Sequence, residues 1–338
     1  MQQPAHEVSP ELFWNTVSGY QQTAALKAAI ELDLFTVIDN GSRTLETIAQ
    51  ATASADRGVR ILCDALTVLG FLTKSGKDYN LTQSSAVFLS RNSRMYIGSI
   101  TNFITSDHLK RGFDTATEAV RTGGTAVKGD SSVDPEAPMW VTFARSMAPM
   151  MYPHAEAISQ QIGGDRERPL RVLDIAAGHG IFGVTVAKNF PNAEIHAVDW
   201  KNVLEVAKEN AANFGVADRY HTIEGSAFDV DFGEGYDIVL LTNFLHHFDV
   251  ETCVSIMKKI KAAINDDGKL FTLEFVPNDD RVSPPHEAMF SFVMLVGTPA
   301  GDAYTFAELR TMCENSGFTR NEHIPLPPTP QHLIVSQR

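Results

Sequence analysis

From residue 170 onward the chain alternates apolar, strand-like runs with helical stretches, and this alternation constrains the fold more than any other feature. The runs are Arg171-Val-Leu-Asp-Ile-Ala, Glu194-Ile-His-Ala-Val-Asp, the shorter His221-Thr-Ile-Glu-Gly, Tyr236-Asp-Ile-Val-Leu-Leu-Thr and Lys269-Leu-Phe-Thr-Leu-Glu-Phe-Val. Helical patterns lie at about 181–189, 202–213, 250–264 and 305–315, with a final strand pair near 318–324 and 331–336. Strands buried on both faces need apolar residues at nearly every position. A helix between successive strands carries the chain back, so that they run parallel. The pattern predicts an α/β domain with a Rossmann-like, doubly wound sheet.

The first hundred residues are organised differently. Leu12, Phe13, Val17, Leu26, Ile30, Leu34 and Phe35 recur at helical spacing, predicting a helix over 11–40 that stops at Asn40-Gly41. A second helix starts at Thr44, with Thr44 and Thr47 both available as caps. A third covers about 55–69, with Val59, Leu62, Leu66 and Leu69 on one face. Two short strand-like runs then flank Ser75-Gly76-Lys77, and three helices followed by a hairpin make a winged helix-turn-helix. Such a module either reads DNA or serves packing and dimerisation. Residues 1–100 hold eight Lys/Arg against nine Asp/Glu, and on the third helix Arg57 and Arg60 stand beside Asp56 and Asp64, which disfavours a phosphate-binding face. The net charge of −13 likewise argues against nucleic acid and anionic membrane as general partners.

Residues 94–162 read as helical, with a loop from Gly123-Gly124 to Pro138 that contains Asp130 and Asp134. Gly163-Gly164-Asp165 reads as a linker, so the expected division is 1–100, 101–165 and 166–338. Cys63, Cys253 and Cys313 are far apart without CxxC spacing, which argues against a disulfide framework or structural zinc. Met1-Gln-Gln-Pro-Ala-His-Glu lacks a basic region followed by an apolar run, and no stretch of about 18 apolar residues occurs. The expected location is the cytoplasm.

Between the first strand and first helix of the α/β region lies Val172-Leu-Asp-Ile-Ala-Ala-Gly-His-Gly-Ile-Phe-Gly. In a doubly wound sheet that turn is where a nucleotide-like ligand docks. Gly178, Gly180 and Gly183 satisfy the spacing of a dinucleotide fingerprint, so glycines alone do not choose the cofactor. Asp174 is the better discriminator. A carboxylate at the strand end suits a cationic ligand, such as the amino-acid part of S-adenosylmethionine (SAM), and would repel a pyrophosphate. The alternative is a carboxylate that braces the loop. Asp199, at the end of the second strand, can accept both ribose hydroxyl hydrogen bonds, and Trp200 offers a flat surface beside it. After the third strand, Gly225-Ser226-Ala227-Phe228-Asp229 forms a turn that meets adenine in a SAM site, with Ser226, Ala227 and Phe228 as candidate contacts.

After the fourth strand comes Leu241-Thr-Asn-Phe-Leu-His-His-Phe-Asp-Val-Glu-Thr-Cys. Here nearly the whole chain resembles the small-molecule O-methyltransferases that include the caffeic acid and hydroxyindole (acetylserotonin) enzymes. That family reads Leu-His-Asp-Trp, acidic residues and a Cys, where this chain has Leu245-His246-His247-Phe248-Asp249 with Cys253 in register. The resemblance implies that His246 is the catalytic base and that Glu274 orients it, 28 residues later (274 − 246). It also implies SAM as cofactor, S-adenosylhomocysteine as product, and a homodimer formed through the N-terminal module; Asp229, Asp231 and Asp249 form no compact ligand set, so no metal is expected. Asn243, just before the base, joins the cofactor candidates. The chain departs from the family in three places: His247-Phe248 replaces Asp-Trp, Ser226 replaces the acidic partner of adenine, and the second family Glu aligns with Ala303 or Asp302.

A base suits the chemistry. Ionising a phenol of pKa near 10 beforehand costs about 4 kcal/mol at neutral pH, whereas a histidine can take the proton as attack occurs. Met139, Phe143, Met147 and Met150 recur on one helical face, a stripe that is otherwise ordinary core; the resemblance implies that this stretch lines the acceptor pocket, and Phe290-Ser-Phe-Val-Met294 is a second apolar run. Phe143, Met147, Met150, Phe290 and Met294 are the candidate contacts to a flat, apolar, aromatic acceptor. Methyl transfer to carbon, nitrogen or sulfur, a SAM-sensing winged-helix regulator, and an NAD enzyme are the alternatives.

Overall fold

The computed structural model describes residues 8–127 and 137–338; the opening heptapeptide and the loop carrying Asp130 and Asp134 lie outside them. Two compact units are present, Met1–Thr101 and Asn102–Arg338.

The first unit contains helices α1 (Glu11–Val17), α2 (Gly19–Glu31), α3 (Leu34–Asp39), α4 (Leu45–Ala51) and α5 (Asp56–Val68). A hairpin of β1 (Leu72–Ser75) and β2 (Asp78–Leu81) follows, and then α6 (Gln83–Phe88). The single helix expected over 11–40 is three. The Ser18 hydroxyl bonds back to the Trp14 carbonyl at 2.7 Å where α1 ends. Asp33 takes a left-handed φ of 52°, and its carboxylate accepts from the Thr36 hydroxyl at 2.7 Å and from Arg91 at 3.1 Å. Side-chain bonds to local backbone compete with the helical ladder, and helical spacing of apolar residues does not register them. Thr44 caps α4 and Thr47 completes a reciprocal capping box. Leu34, Phe35, Ile38, Ile48, Val59 and Leu66 are among the core residues. By contrast, α1 buries nothing: Leu12 and Trp14 are 79% and 61% exposed. An open apolar groove lies over Ala25 and Ala28 of α2, Leu32 just after it, and Val59, Leu62 and Ala65 of α5.

The boundary falls within α7 (Ile100–Ile104), and the second unit takes up α8 (Asp107–Asp114), α9 (Ala116–Thr122) and the long α10 (Pro138–Ile162). Strands and helices then alternate: β3 (Leu170–Ile175), α11 (Ile181–Asn189), β4 (Ala193–Asp199), α12 (Lys201–Asn213), β5 (Tyr220–Glu224), β6 (Tyr236–Thr242), α13 (Val250–Ala263) and β7 (Ile264–Phe275). The unit finishes with α14 (Pro285–Gly297), α15 (Phe306–Asn315), β8 (Arg320–Pro325) and β9 (Gln331–Gln337). The sheet order is β5-β4-β3-β6-β7-β9-β8. The five strands from β5 to β7 are parallel; β9 runs antiparallel to β7, and β8 to β9. β7 begins five residues before the expected Lys269, because Ile264 already pairs with Tyr236 and the register then shifts. Winding reverses between β3 and β6, so the crevice at their carboxyl ends is the expected ligand site. Leu173, Val239, Leu241, Ile256, Ile260 and Phe318 belong to the sheet core. Among the described residues no helix is long and apolar enough to cross a membrane.

Candidate active site

The glycine-rich turn after β3 is held from below. Gly178 and Gly180 take positive φ, 57° and 72°, and Gly180 caps α11. Asp174 is fully buried, and its Oδ2 accepts from the Gly183 amide at 3.0 Å. A Cβ at Gly183 would lie 2.8 Å from that oxygen, so glycine lets the helix reach the carboxylate. Asp174 thus ties the end of β3 to the first turn of α11. Its Oδ1 has no hydrogen-bond partner. Burial pushes its pKa up to about 7, with the Asp199 charge adding to the shift.

Asp199 closes the turn from the side. Its Oδ2 accepts from the Gly178 amide at 2.8 Å and its Oδ1 from the Trp200 amide at 2.7 Å. Burial raises its pKa to about 6. The Asp199 carbonyl accepts from the Gly225 amide at 2.9 Å, which brings the turn after β5 alongside. There Ser226 Oγ accepts from the Phe228 amide at 3.2 Å, and Ala227 is buried. The Phe228 ring lies 5.9 Å from Phe244 and 5.1 Å from Phe248. Trp200 packs with Trp140 and Val141 on Ala144, Val203 and Val206. Asn243 follows β6 with a φ of 55°, and its side chain meets Gln331 and the Met151 sulfur.

Two carboxylates beside the turn, one with an orphaned buried oxygen, fit a cationic cofactor such as SAM and oppose a pyrophosphate. Among the described residues no group of three or more His, Cys, Asp or Glu is arranged to hold a metal ion.

Residues Leu245–His247 form a 3₁₀ turn at the end of β6. His246 is 5% exposed, and its Nδ1 lies 2.5 Å from Glu274 Oε2. The other carboxylate oxygen accepts from the amides of Phe244 at 3.0 Å and Leu245 at 2.8 Å. Glu274, near the end of β7 and 2% exposed, thus satisfies two buried amides and one ring nitrogen at once. Adjacent parallel strands bring these residues together: β6 ends beside β7. Cys253 Sγ donates to the Leu245 carbonyl at 3.2 Å. A Cβ at Gly301 would fall 2.1 Å from the His246 carbonyl oxygen, so the segment behind the turn approaches as bare backbone.

Neither position aligned with the second family Glu faces this pair with a carboxylate. Asp302 pairs with Arg281 at 3.0 Å, in an ion pair that Glu308 shares, and Ala303 is buried. Asp249 caps α13, accepting from the Thr252 amide at 2.8 Å, and His247 takes no part in that cap. The His247 ring instead stands edge-on to Trp140 at 5.3 Å. Burial, with His246 beside it, holds its pKa well below the ordinary histidine value.

The apolar candidates divide in two. Phe143 faces the glycine turn: its ring stacks with His179 at 6.5 Å and would touch a Cβ at Gly178 at 4.0 Å. Met147 is buried on the same helix, and Met150 is partly buried. Phe290 of α14 stands edge-on to His246, centroids 4.9 Å apart, and stacks on Phe275 at 3.9 Å. Met294, one turn later, is buried.

Several neighbours escaped the sequence reading. His179 is buried and accepts from the Ile181 amide at 3.1 Å, and burial lowers its pKa to about 4. Tyr220 lies beneath Gly180 with its hydroxyl unpartnered. His332, paired across the sheet with Glu274, joins His323 at 2.6 Å and lies 3.7 Å from Glu287 of α14. The flanking glycines were a signal for His179; the others had none.

Residues 164–319 match the O-methyltransferase domain, and residues 14–91 the O-methyltransferase dimerisation domain. A 3-hydroxy-5-methyl-1-naphthoate 3-O-methyltransferase from Streptomyces sahachiroi is 28% identical over 318 residues, 93% of this chain and 91% of that one. The crystal structure of a provisionally assigned O-methyltransferase from Nostoc punctiforme is 51% identical, covering 98% of this chain and 100% of the other with a TM-score of 0.94. Human N-acetylserotonin methyltransferase in complex with SAM shares the fold, with a TM-score of 0.84 at 20% identity over 99% of both chains.

Proposed function

Since the chain belongs to the SAM-dependent O-methyltransferase family, we propose that it methylates a hydroxyl of a small aromatic acceptor, with His246 as general base and Glu274 as the group that orients it. The observation that carries this reading is the buried His246–Glu274 pair at 2.5 Å, with Phe290 edge-on to the imidazole. When bound, SAM supplies an electrophilic methyl group on sulfur and leaves as S-adenosylhomocysteine. The Glu274 carboxyl oxygen accepts from Nδ1–H and so leaves the Nε2 lone pair free for the hydroxyl proton. It then stabilises the imidazolium. A positioned base contributes about 10²–10⁴-fold to rate. The name of the Streptomyces relative, a naphthoate 3-O-methyltransferase, supports an aromatic acceptor.

In this reading Asp174, Gly178, Gly180, Asp199, Trp200, Ser226, Ala227, Phe228 and Asn243 form the cofactor surface, at or beneath the carboxyl ends of the strands. Phe143, Met147, Met150, Phe290 and Met294 wall the acceptor, so the helical stretch over 101–165 contributes to the pocket. The first unit joins two copies into a homodimer. The exposed apolar side chains of α1 and the open α2–α5 groove support that, because patches of this kind mark association surfaces. Arg60 on α5 is paired with Asp64 at 3.2 Å, which leaves this helix poorly suited to phosphate.

The test uses methyl-labelled SAM, a panel of aromatic hydroxyl compounds, and wild type beside His246→Ala. At least a hundredfold loss of transfer in the variant is expected. Transfer that barely changes would remove His246 as base and point to another acceptor atom.

A further inference from the structure

The turn read as the adenine station is held by a side chain from a distant helix. Lys259 lies on α13, the helix that directly follows the His246 segment. Its ammonium donates to the carbonyls of Ala227 at 2.8 Å, Phe228 at 3.0 Å and Val230 at 2.5 Å. It also sits 4.3 Å from the centroid of the Phe232 ring. An ammonium has three donors, and here all three are committed to the backbone of one turn. Desolvation lowers the Lys259 pKa, while the nearby Asp229 and Asp231 charges oppose the shift.

This arrangement has a geometric consequence. Three carbonyls within four residues converge on one cation, so the backbone of the turn cannot rotate without giving up charge-assisted bonds. The opposite end of the turn is tied through the Gly225 amide to the Asp199 carbonyl. Between these two ties stand Ser226, Ala227 and Phe228, with the Phe228 ring laid against Phe244 and Phe248. Those two phenylalanines flank the segment Leu245–His247. We infer that Lys259 is a positioning residue for the cofactor: it fixes the turn over 225–230 that receives adenine and couples it to the helix behind the base. The inference rests on the reading of that turn proposed above.

Lys259→Met keeps the aliphatic stem and removes the donors; Lys259→Arg keeps charge and donors. S-adenosylhomocysteine and 5′-methylthioadenosine, which lacks the amino-acid part, are titrated calorimetrically into each protein. Thermal unfolding and acceptor KM are measured in parallel. Lys259→Met should weaken both ligands by about tenfold and by the same factor, with acceptor KM within twofold, and Lys259→Arg should recover most of the affinity. If the Met variant does not fold, Lys259→Gln, which retains one donor group, should show an intermediate loss of about threefold. Affinity within twofold of wild type in the folded variants overturns the inference. So does a loss for S-adenosylhomocysteine that 5′-methylthioadenosine does not share. A wild-type protein that binds neither ligand would instead overturn the cofactor reading itself.

Discussion

Glu274→Gln separates the proposed orienting role of the carboxylate from its structural one. Glu274 accepts three hydrogen bonds, two from the amides of Phe244 and Leu245 and one from His246. A glutamine oxygen can keep the two amides, but its NH₂ must then face Nδ1. That bond requires Nδ1 to be the acceptor, so the ring proton moves to Nε2 and the nitrogen facing the hydroxyl can no longer take a proton. The imidazolium also loses its counter-charge; a hydrogen bond to a charged group is worth about 1.5–3 kcal/mol. Loss of the base removes about 10²–10⁴-fold, so kcat should fall by roughly 10³ while the affinity for S-adenosylhomocysteine stays within twofold. Because unassisted transfer needs an ionised acceptor, the residual rate on a phenol should climb about tenfold per pH unit toward pH ~10. Glu274→Ala, by contrast, abandons two buried amides at about 1–3 kcal/mol each and should lower the unfolding midpoint. Steady-state kinetics with labelled SAM between pH 6 and 10, together with thermal unfolding, check both variants. A kcat within threefold of wild type at pH 7, or an unchanged pH profile for Glu274→Gln, would refute the reasoning.

Asp174 and Asp199 titrate near 7 and 6 in the fold, against ordinary values of 3.8. The native state then holds more protons than the unfolded chain between about pH 4 and 7, and cofactor-free stability should fall as pH rises through that window. Asp174→Asn should flatten the fall, seen as a midpoint less dependent on pH; an unchanged slope would count against the shift. Phe290→Ala removes the ring edge-on to His246 and should raise acceptor KM about tenfold, leaving S-adenosylhomocysteine binding within twofold in a direct titration. Trp14→Glu puts a charge on the exposed face of α1 and should shift the protein from dimer to monomer in sedimentation at micromolar concentration. A dimer that persists would move the interface elsewhere.

How far the chain could be read from its letters depends on the distance over which each feature is decided. The parallel strands were legible because burial on both faces demands continuous apolar runs, as in Ile238-Val-Leu-Leu-Thr. The breaks at Ser18 and Asp33 were not, since a side chain bonding its local backbone leaves the apolar period untouched. The glycine turn could be located, but what Asp174 meets depends on the depth of β3: one oxygen accepts from the Gly183 amide and the other has no hydrogen-bond partner. Tyr220, Lys259 and the Glu287–His332 contact arise where separate elements cross, and such crossings leave no periodic trace in the sequence.

The two amides that Glu274 holds have a consequence for how such an enzyme can diversify. The turn carrying His246 is fastened to the central sheet by the same carboxylate that bonds its ring. The proposed acceptor walls belong instead to α10 and α14. If the proposal holds, replacements on those helices reshape which molecules fit without passing through a state in which the proposed base is lost. A library aimed at new acceptors should vary Phe143, Met147, Phe290 and Met294 together and leave β6 and β7 untouched.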